Sequence, residues 1–289
     1  MKRNALTPYL FLLPGCVILG AFIFYPLLQA IWLSFTDYNM IVDPTFVGTE
    51  NYEKLFDDSM FWKTLIQTLI YLVGVVPALI ILPIFLAILV NQKLKGIGFF
   101  RSAYYIPVVT SWVVVGITWE WVYAEKGVLN YLLEVVGMIN GPVHWLTSEK
   151  TALFAVMAVT VWKGLGYYMV IYLAGLQSIP SNLYEAAEID GANKWQQTIR
   201  ITIPMLMPSI IIVTVMSSIA AMKVFEEIYI MTGGGPLNSS KTLVFYIYQE
   251  AFEKLNMGYA SAAGVVLFLI TLIFSVVNLK LMGRKENVA

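Results

Sequence analysis

Long apolar runs separated by shorter polar segments dominate the chain, at about residues 10–33, 65–90, 102–123, 152–176, 207–230 and 260–281. Each is long enough, as a helix, to cross a hydrocarbon core of about 30 Å. The pattern predicts an all-α polytopic membrane protein, a single transmembrane domain over residues 1–289 with six transmembrane helices. The first run follows Lys2 and Arg3, yet it exceeds the apolar core of a secretory signal and lacks a small-residue cleavage site, so it is expected to stay as a span. Pro14, Pro26, Pro77, Pro83 and Pro107 fall inside or near the ends of these runs, which predicts bent helices whose freed carbonyls are satisfied by neighbours or water.

The polar segments differ from one another. Residues 177–206 separate the fourth and fifth runs, and within them Asn182 followed three residues later by Glu185 reads as a helix start, with Gly191 as a left-handed stop. About two turns of helix lie between, too few to be stable alone in water, so something else must hold them. The small face of Ala186 and Ala187 lets a partner approach closely; a capped connector between spans is the other reading. After the stop, Trp195, Thr198, Ile199 and Thr202 offer one face able to lie along the membrane. On the opposite side, Thr36 to Lys63 interleaves acids with Tyr38, Phe46, Tyr52, Phe56 and Phe61, predicting short amphipathic segments that either dock an external partner or form a solvated loop. Lys241 to Leu255 reads similarly, with Leu243, Tyr246, Ile247, Ala251 and Lys254 on one face and Glu250 and Glu253 beside it.

Composition adds that 59% of the 289 residues are hydrophobic and 12% charged, with a mean hydropathy of +0.74. A soluble domain carries roughly twice that charged fraction. Net charge is zero, so no basic excess points to nucleic acid. One cysteine, Cys16, and one histidine, His144, leave no basis for a disulfide or a metal site. With a cytoplasmic amino terminus, the inside segments hold Lys2, Arg3, Lys93, Lys95, Arg101, Lys194, Arg200, Lys280, Arg284 and Lys285, against Lys54, Lys63, Lys126, Lys150, Lys241 and Lys254 outside. Both termini and the Glu185 segment then face the cytoplasm. The stretch from Gly235 to Thr242 approaches a phosphate-binding loop, but Ser240 stands where its second glycine belongs, so no nucleotide is expected on this chain. Gly233 to Pro236 reads instead as a flexible turn, and Asn238-Ser239-Ser240 matches a glycosylation acceptor with no secretory context to give it meaning.

Ionisable groups at membrane depth are costly unless they meet a polar cavity or a partner. Lys163 lies near the middle of the fourth run beside Trp162, with Tyr167 and Tyr168 one turn on. Aromatic faces and a few polar groups are what a sugar site requires, which makes these residues candidates for a solute path. Snorkelling, or contact with another helix, is the alternative for Lys163. Lys223 and Glu226 join the candidates, although Lys223 at the i+3 or i+4 spacing from Glu226 and Glu227 also fits a local ion pair. Glu120 and Asn278 near span ends carry a weaker signal of the same kind.

Glu185-Ala186-Ala187, three residues, Gly191, nine residues, then Ile201-Thr202-Ile203-Pro204 resembles the EAA signature of permease subunits in binding-protein-dependent ABC importers. The one departure is Ile203 where leucine is usual, a change of similar volume. Val47-Gly48-Thr49-Glu50-Asn51-Tyr52, Trp145-Leu146, the Gly233 to Pro236 turn and Gly258-Tyr259-Ala260-Ser261-Ala262 are similar to the carbohydrate branch, the maltose-type first permease subunit and its shorter relatives. The resemblance implies a non-enzymatic transport subunit in the plasma (inner) membrane of a prokaryote. Its implied partners are a second permease, two cytoplasmic ATPase subunits holding ATP and Mg, an extracytoplasmic solute-binding protein, membrane lipid and a carbohydrate substrate. It also implies that the segment from Glu185, through Ala186, Ala187 and Gly191, to Ile201 and Pro204 is a coupling helix and its exit, seated in a groove of the ATPase between the fourth and fifth spans. A secondary transporter or channel subunit, with Lys163 or Glu226 as ion ligands, is the competing class; the inverted repeat expected of many such carriers is not apparent. A membrane enzyme lacks a clustered acidic, His or Cys constellation.

Overall fold

The computed structural model describes residues 7–92 and 96–286. Lys2, Arg3, Lys93 and Lys95, counted above for orientation, lie outside the described residues. In chain order, α1 (Thr7–Leu19) runs through a π turn (Gly20–Phe24) into α2 (Tyr25–Leu33), followed by β1 (Thr36–Asp37), β2 (Thr45–Phe46), α3 (Glu50–Asp57) and α4 (Ser59–Val90). Then come α5 (Ile97–Val109), α6 (Trp112–Tyr123), α7 (Val128–Val135), α8 (Ala152–Gln177), α9 (Ser181–Ile189) and α10 (Lys194–Gln197). A second π turn (Thr198–Thr202) leads to α11 (Ile203–Met205), α12 (Met207–Met222), α13 (Glu226–Met231), α14 (Leu243–Tyr248), a third π turn (Gln249–Glu253) and α15 (Met257–Glu286).

Unbroken helices over Tyr9–Leu33, Ser59–Val90, Ala152–Gln177 and Met257–Lys280 are long and apolar enough to cross a membrane. The other two runs are broken. The third begins at Ile97 and turns by 100° between Val109 and Trp112, because Thr110 and Ser111 are extended and Ser111 starts a new helix by accepting the Val113 amide. The fifth bends by 65° where Lys194–Met205 meets Met207–Met222, flanked by Pro204 and Pro208, each of which withholds an amide from the ladder. It then stops at Met222 instead of continuing to residue 230, since Lys223 and Phe225 leave helical geometry before α13 begins. That break removes the expected local ion pair: Lys223 makes none with Glu226 or Glu227, whose helical spacing from it is lost.

The chain forms two compact units, one of residues up to Lys63 with Tyr246–Ile270, the other Thr64–Phe245 with the remainder. In the first, β1 and β2 form a small antiparallel pair, and the buried Asn51 amide donates to the Ser34 and Thr36 carbonyls at 3.0 and 2.8 Å. Asp58 starts α4 by accepting the Met60 amide at 2.7 Å, and its other oxygen accepts from the Tyr246 and Tyr259 hydroxyls. Burial pushes this carboxyl up, but those hydrogen bonds outweigh it and hold the group below the usual value. Leu243, Tyr246 and Ala251 are buried as the face pattern requires. Glu250, expected beside that face, is buried too and bonds Lys254 at 2.5 Å, because the π turn adds a residue and rotates the face.

In the second unit α8 is central. Its Val156, Val159, Met169 and Tyr172 are fully buried. Gly166 lets α5 cross in contact with it: a Cβ there would strike the Tyr104 carbonyl and stand 3.1 Å from the Tyr105 Cα. The Gly233 to Pro236 turn, expected to be flexible, is tied by Ser240, which donates to the Gly235 carbonyl at 2.6 Å, and just beyond it the Gln67 amide holds the Asn238 and Ser239 carbonyls at 2.8 Å. Gly166→Leu is expected to force α5 off α8 and to cost roughly 1–3 kcal/mol or more. Thermal melting of the detergent-purified subunit checks this; an unchanged midpoint would contradict the close crossing.

Candidate functional site

A cavity of about 440 Å³ lies against α8. Tyr71 from α4, Thr160, Lys163, Tyr167 and Tyr168 from α8, Ser217 from α12, and Lys223, Glu226 and Glu227 around the second break contribute its polar lining. A wider hollow of about 720 Å³ shares Val108, Trp112, Lys163, Phe225 and Glu226 with it. Both broken apolar runs therefore meet at one place: the turns at Val109–Trp112 and Lys223–Phe225 each bring irregular backbone to a cavity wall. Irregular backbone at membrane depth is tolerated only in such surroundings.

Five of the six residues singled out for a solute path meet here: Lys163, Tyr167, Tyr168, Lys223 and Glu226. Trp162 does not. Adjacent residues on a helix point about 100° apart, and Trp162 turns away from the cavity, edge-on to Trp119 at 5.3 Å and 69°. Glu120 and Asn278 line neither hollow. Tyr167 and Tyr168 stand edge to face at 5.2 Å, with Tyr168 buried and Tyr167 exposed. Lys163 is 9% exposed, and its ammonium donates to the Pro107 and Val108 carbonyls at 2.9 and 3.1 Å while lying 5.1 Å from the Trp112 ring centre.

The more enclosed of the cavity's two acids is Glu227, which sequence reasoning left out of the candidate set in favour of its neighbour. Glu226 is exposed, whereas Glu227 is 8% exposed and accepts from Tyr71 at 3.2 Å and Thr160 at 3.4 Å. Tyr71 also donates to Thr160 at 2.6 Å, so α4, α8 and α13 are joined through three side chains. The phase of α13 depends on where α12 stops, and no local signal in the sequence marks Met222 as the end.

At the other end of α8, Ser178, Ile179 and Pro180 lead into α9. Pro180 occupies the N-cap and no side chain caps the helix, so Asn182 is not the start signal it resembles. The stop is as read. Gly191 has φ +77°, its amide donates to the Glu188 carbonyl at 3.1 Å, and the Ala192 amide donates to the Ala187 carbonyl at 2.8 Å, the paired bonds of a Schellman ending. A reciprocal capping box then opens α10: Asn193 accepts the Gln196 amide and Gln196 accepts the Asn193 amide, both at 2.9 Å. Tyr184 reaches Thr202 at 2.9 Å and ties α9 to the segment beyond. Glu185, Ala186 and Pro204 are exposed, Ala187 and Ile201 half-buried, and Ile189 is 87% exposed, an apolar side chain with no cover.

The model of one protein family, described as the binding-protein-dependent transport system inner membrane component, matches residues 58–284. A probable ABC transporter permease of Bacillus subtilis, YurN, is 36% identical over 99% of this chain and 100% of its own length. The lactose transport permease LacF of Rhizobium radiobacter is 36% identical over 92% of this chain and 91% of its own, and the trehalose/maltose permease MalF of Thermococcus litoralis 34% over 98% and 95%. Among solved structures, a chain of a bacterial alginate ABC transporter in complex with an alginate pentasaccharide-bound periplasmic protein superposes with a TM-score of 0.82, 25% identity, and coverage of 96% of this chain and 93% of that one.

Tyr71→Phe would leave Thr160 and the buried Glu227 short of a donor. We expect a loss of about 1–3 kcal/mol in stability, read as a lowered melting temperature of the purified subunit; no change would mean the three side chains do not hold α4, α8 and α13 together.

Proposed function

The chain belongs to the family of binding-protein-dependent transport system inner membrane components and is a multi-pass permease subunit of an ABC importer, and from that premise we propose how its parts divide the work. The cavity beside α8 is the solute path, and the solute is a carbohydrate. Tyr167 and Tyr168 offer faces for sugar CH groups while Ser217, Lys223 and Glu226 take hydroxyls. Relatives named for lactose, trehalose/maltose and starch degradation products support the class. The partners are a second permease, two ATPase subunits that bind ATP and Mg, and an extracytoplasmic binding protein.

Each bent pair counts as one span in this reading, which gives six. The Lys and Arg bias places both termini and α9 in the cytoplasm. There α9 is the coupling helix: Glu185 meets a cation of the ATPase, the faces of Ala186, Ala187 and Ile189 enter its groove, Gly191 turns the chain back, and Ile201 and Pro204 carry the motion into α12. The observation that carries this reading is the continuity of α8, which lines the cavity with Thr160, Lys163, Tyr167 and Tyr168 and continues, across three residues, into a short helix with uncovered apolar and acidic side chains.

Glu185→Ala, and more severely Gly191→Val, should leave a membrane-inserted subunit that pairs with the second permease but retains the ATPase poorly. A charge-assisted bond of about 1.5–3 kcal/mol corresponds to roughly ten-fold or greater weakening. Pull-down of the ATPase and binding-protein-stimulated hydrolysis in reconstituted vesicles measure it; wild-type values in both variants would reduce α9 to a connector. For orientation, in a Cys16→Ser background, Ser181→Cys should label from the cytoplasmic side and Val42→Cys from outside. Reversed accessibility at both would overturn the topology.

A further inference from the structure

We propose that Lys163 is a positioning residue, a clasp that fixes the 100° break between α5 and α6 to α8, rather than a ligand of the transported solute. The last turn of a helix leaves carbonyls without intrahelical donors, and in a membrane no bulk water replaces them. At the end of α5, three of the last four have side-chain donors. Thr110 Oγ1 donates to the Ile106 carbonyl at 2.9 Å, and the Lys163 ammonium donates to those of Pro107 and Val108. A cation also sits favourably at the negative end of the helix dipole. Trp112, the first residue of α6, presents its ring to the same ammonium at 5.1 Å. One side chain of α8 thus touches both sides of the break.

The arrangement leaves the ammonium little capacity for a sugar. Two of its three donors are committed to carbonyls and the aromatic face lies against it, whereas Lys223 and Glu226 on the same cavity wall are exposed. Because Val108 and Trp112 line the cavity, the clasp makes the wall formed by the break follow α8. An apolar side chain at this position leaves two half-buried carbonyls without donors, and the break then loses its fixed angle.

The test uses the full subunit with Cys16→Ser, Phe99→Cys and Trp121→Cys carrying spin labels on exposed positions of α5 and α6, and measures the distance distribution between them. With Lys163 present a single narrow distribution is expected. Lys163→Met should broaden it, and Lys163→Arg, which keeps charge and donors, should restore it. Uptake by the reconstituted importer should fall roughly ten-fold in Lys163→Met, the scale of one charge-assisted hydrogen bond, with the preference among sugars unchanged, and should recover in Lys163→Arg. The uptake arm rests on the transport reading above, while the distance arm does not, so the two fail separately. A narrow distribution in Lys163→Met overturns the clasp, as does altered sugar preference without broadening. If Lys163→Met does not assemble, Lys163→Gln, a neutral donor of shorter reach, takes its place under the same criteria.

Discussion

Where α5 ends, the carbonyls of Pro107 and Val108 have no donor from their own helix, and the ammonium of Lys163 answers both from a neighbouring helix. Much of the second unit follows from this contact. Lys163 reaches Pro107 and Val108, while Gly166, one turn further along α8, admits the backbone of Tyr104, one turn earlier on α5. Residue numbers rise on one helix as they fall on the other, so the two run antiparallel in direct contact over this turn. That contact aims α6 away at the break and opens the cavity wall. A continuous third helix would need no lysine here, and a lysine without the break would have no carbonyls to meet.

What the sequence disclosed about the fold depended on how local the cause was. Runs such as 152–176 have one continuous pattern and became one helix, α8. The run 102–123 has the same apolar content, but its interruption at Thr110 and Ser111 is made by a cap and a tertiary donor, and hydropathy carries neither. The pattern around residues 207–230 fails for a related reason: Lys223 looks like the middle of a helix in composition and is its end in conformation. Once α12 stops there, the phase of α13 is set anew, and burial passes from Glu226 to Glu227. Trp162 was misplaced through adjacency, since neighbours in sequence on a helix do not share a face.

The loop after α8 shows the reverse balance. The spaced pattern from Glu185 to Pro204 was legible as a family signature, and Gly191 as a stop, because a left-handed position favours the residue that lacks a Cβ. Its start was not, for a proline replaces the polar cap and Asn182 falls one position inside the helix. Asn193 with Gln196 has the spacing of a capping box, yet the helix it opens is only four residues long and continues as a π turn, so no apolar periodicity follows it to mark a helix start.

The four residues between α9 and α10 are Asp190, Gly191, Ala192 and Asn193. Their amides donate in turn to Ala186, Glu188, Ala187 and the Gln196 side chain. No amide in this elbow is left to water, so the joint has no slack. A flexible link would absorb a push on one helix as bending, whereas this one behaves as a welded corner, and a torque applied to α9 reaches α10 as rotation of a single body. Three of the four bonds run backbone to backbone and the fourth needs only the Gln196 side chain, which means other side chains on the elbow's surface can vary while the corner keeps its angle.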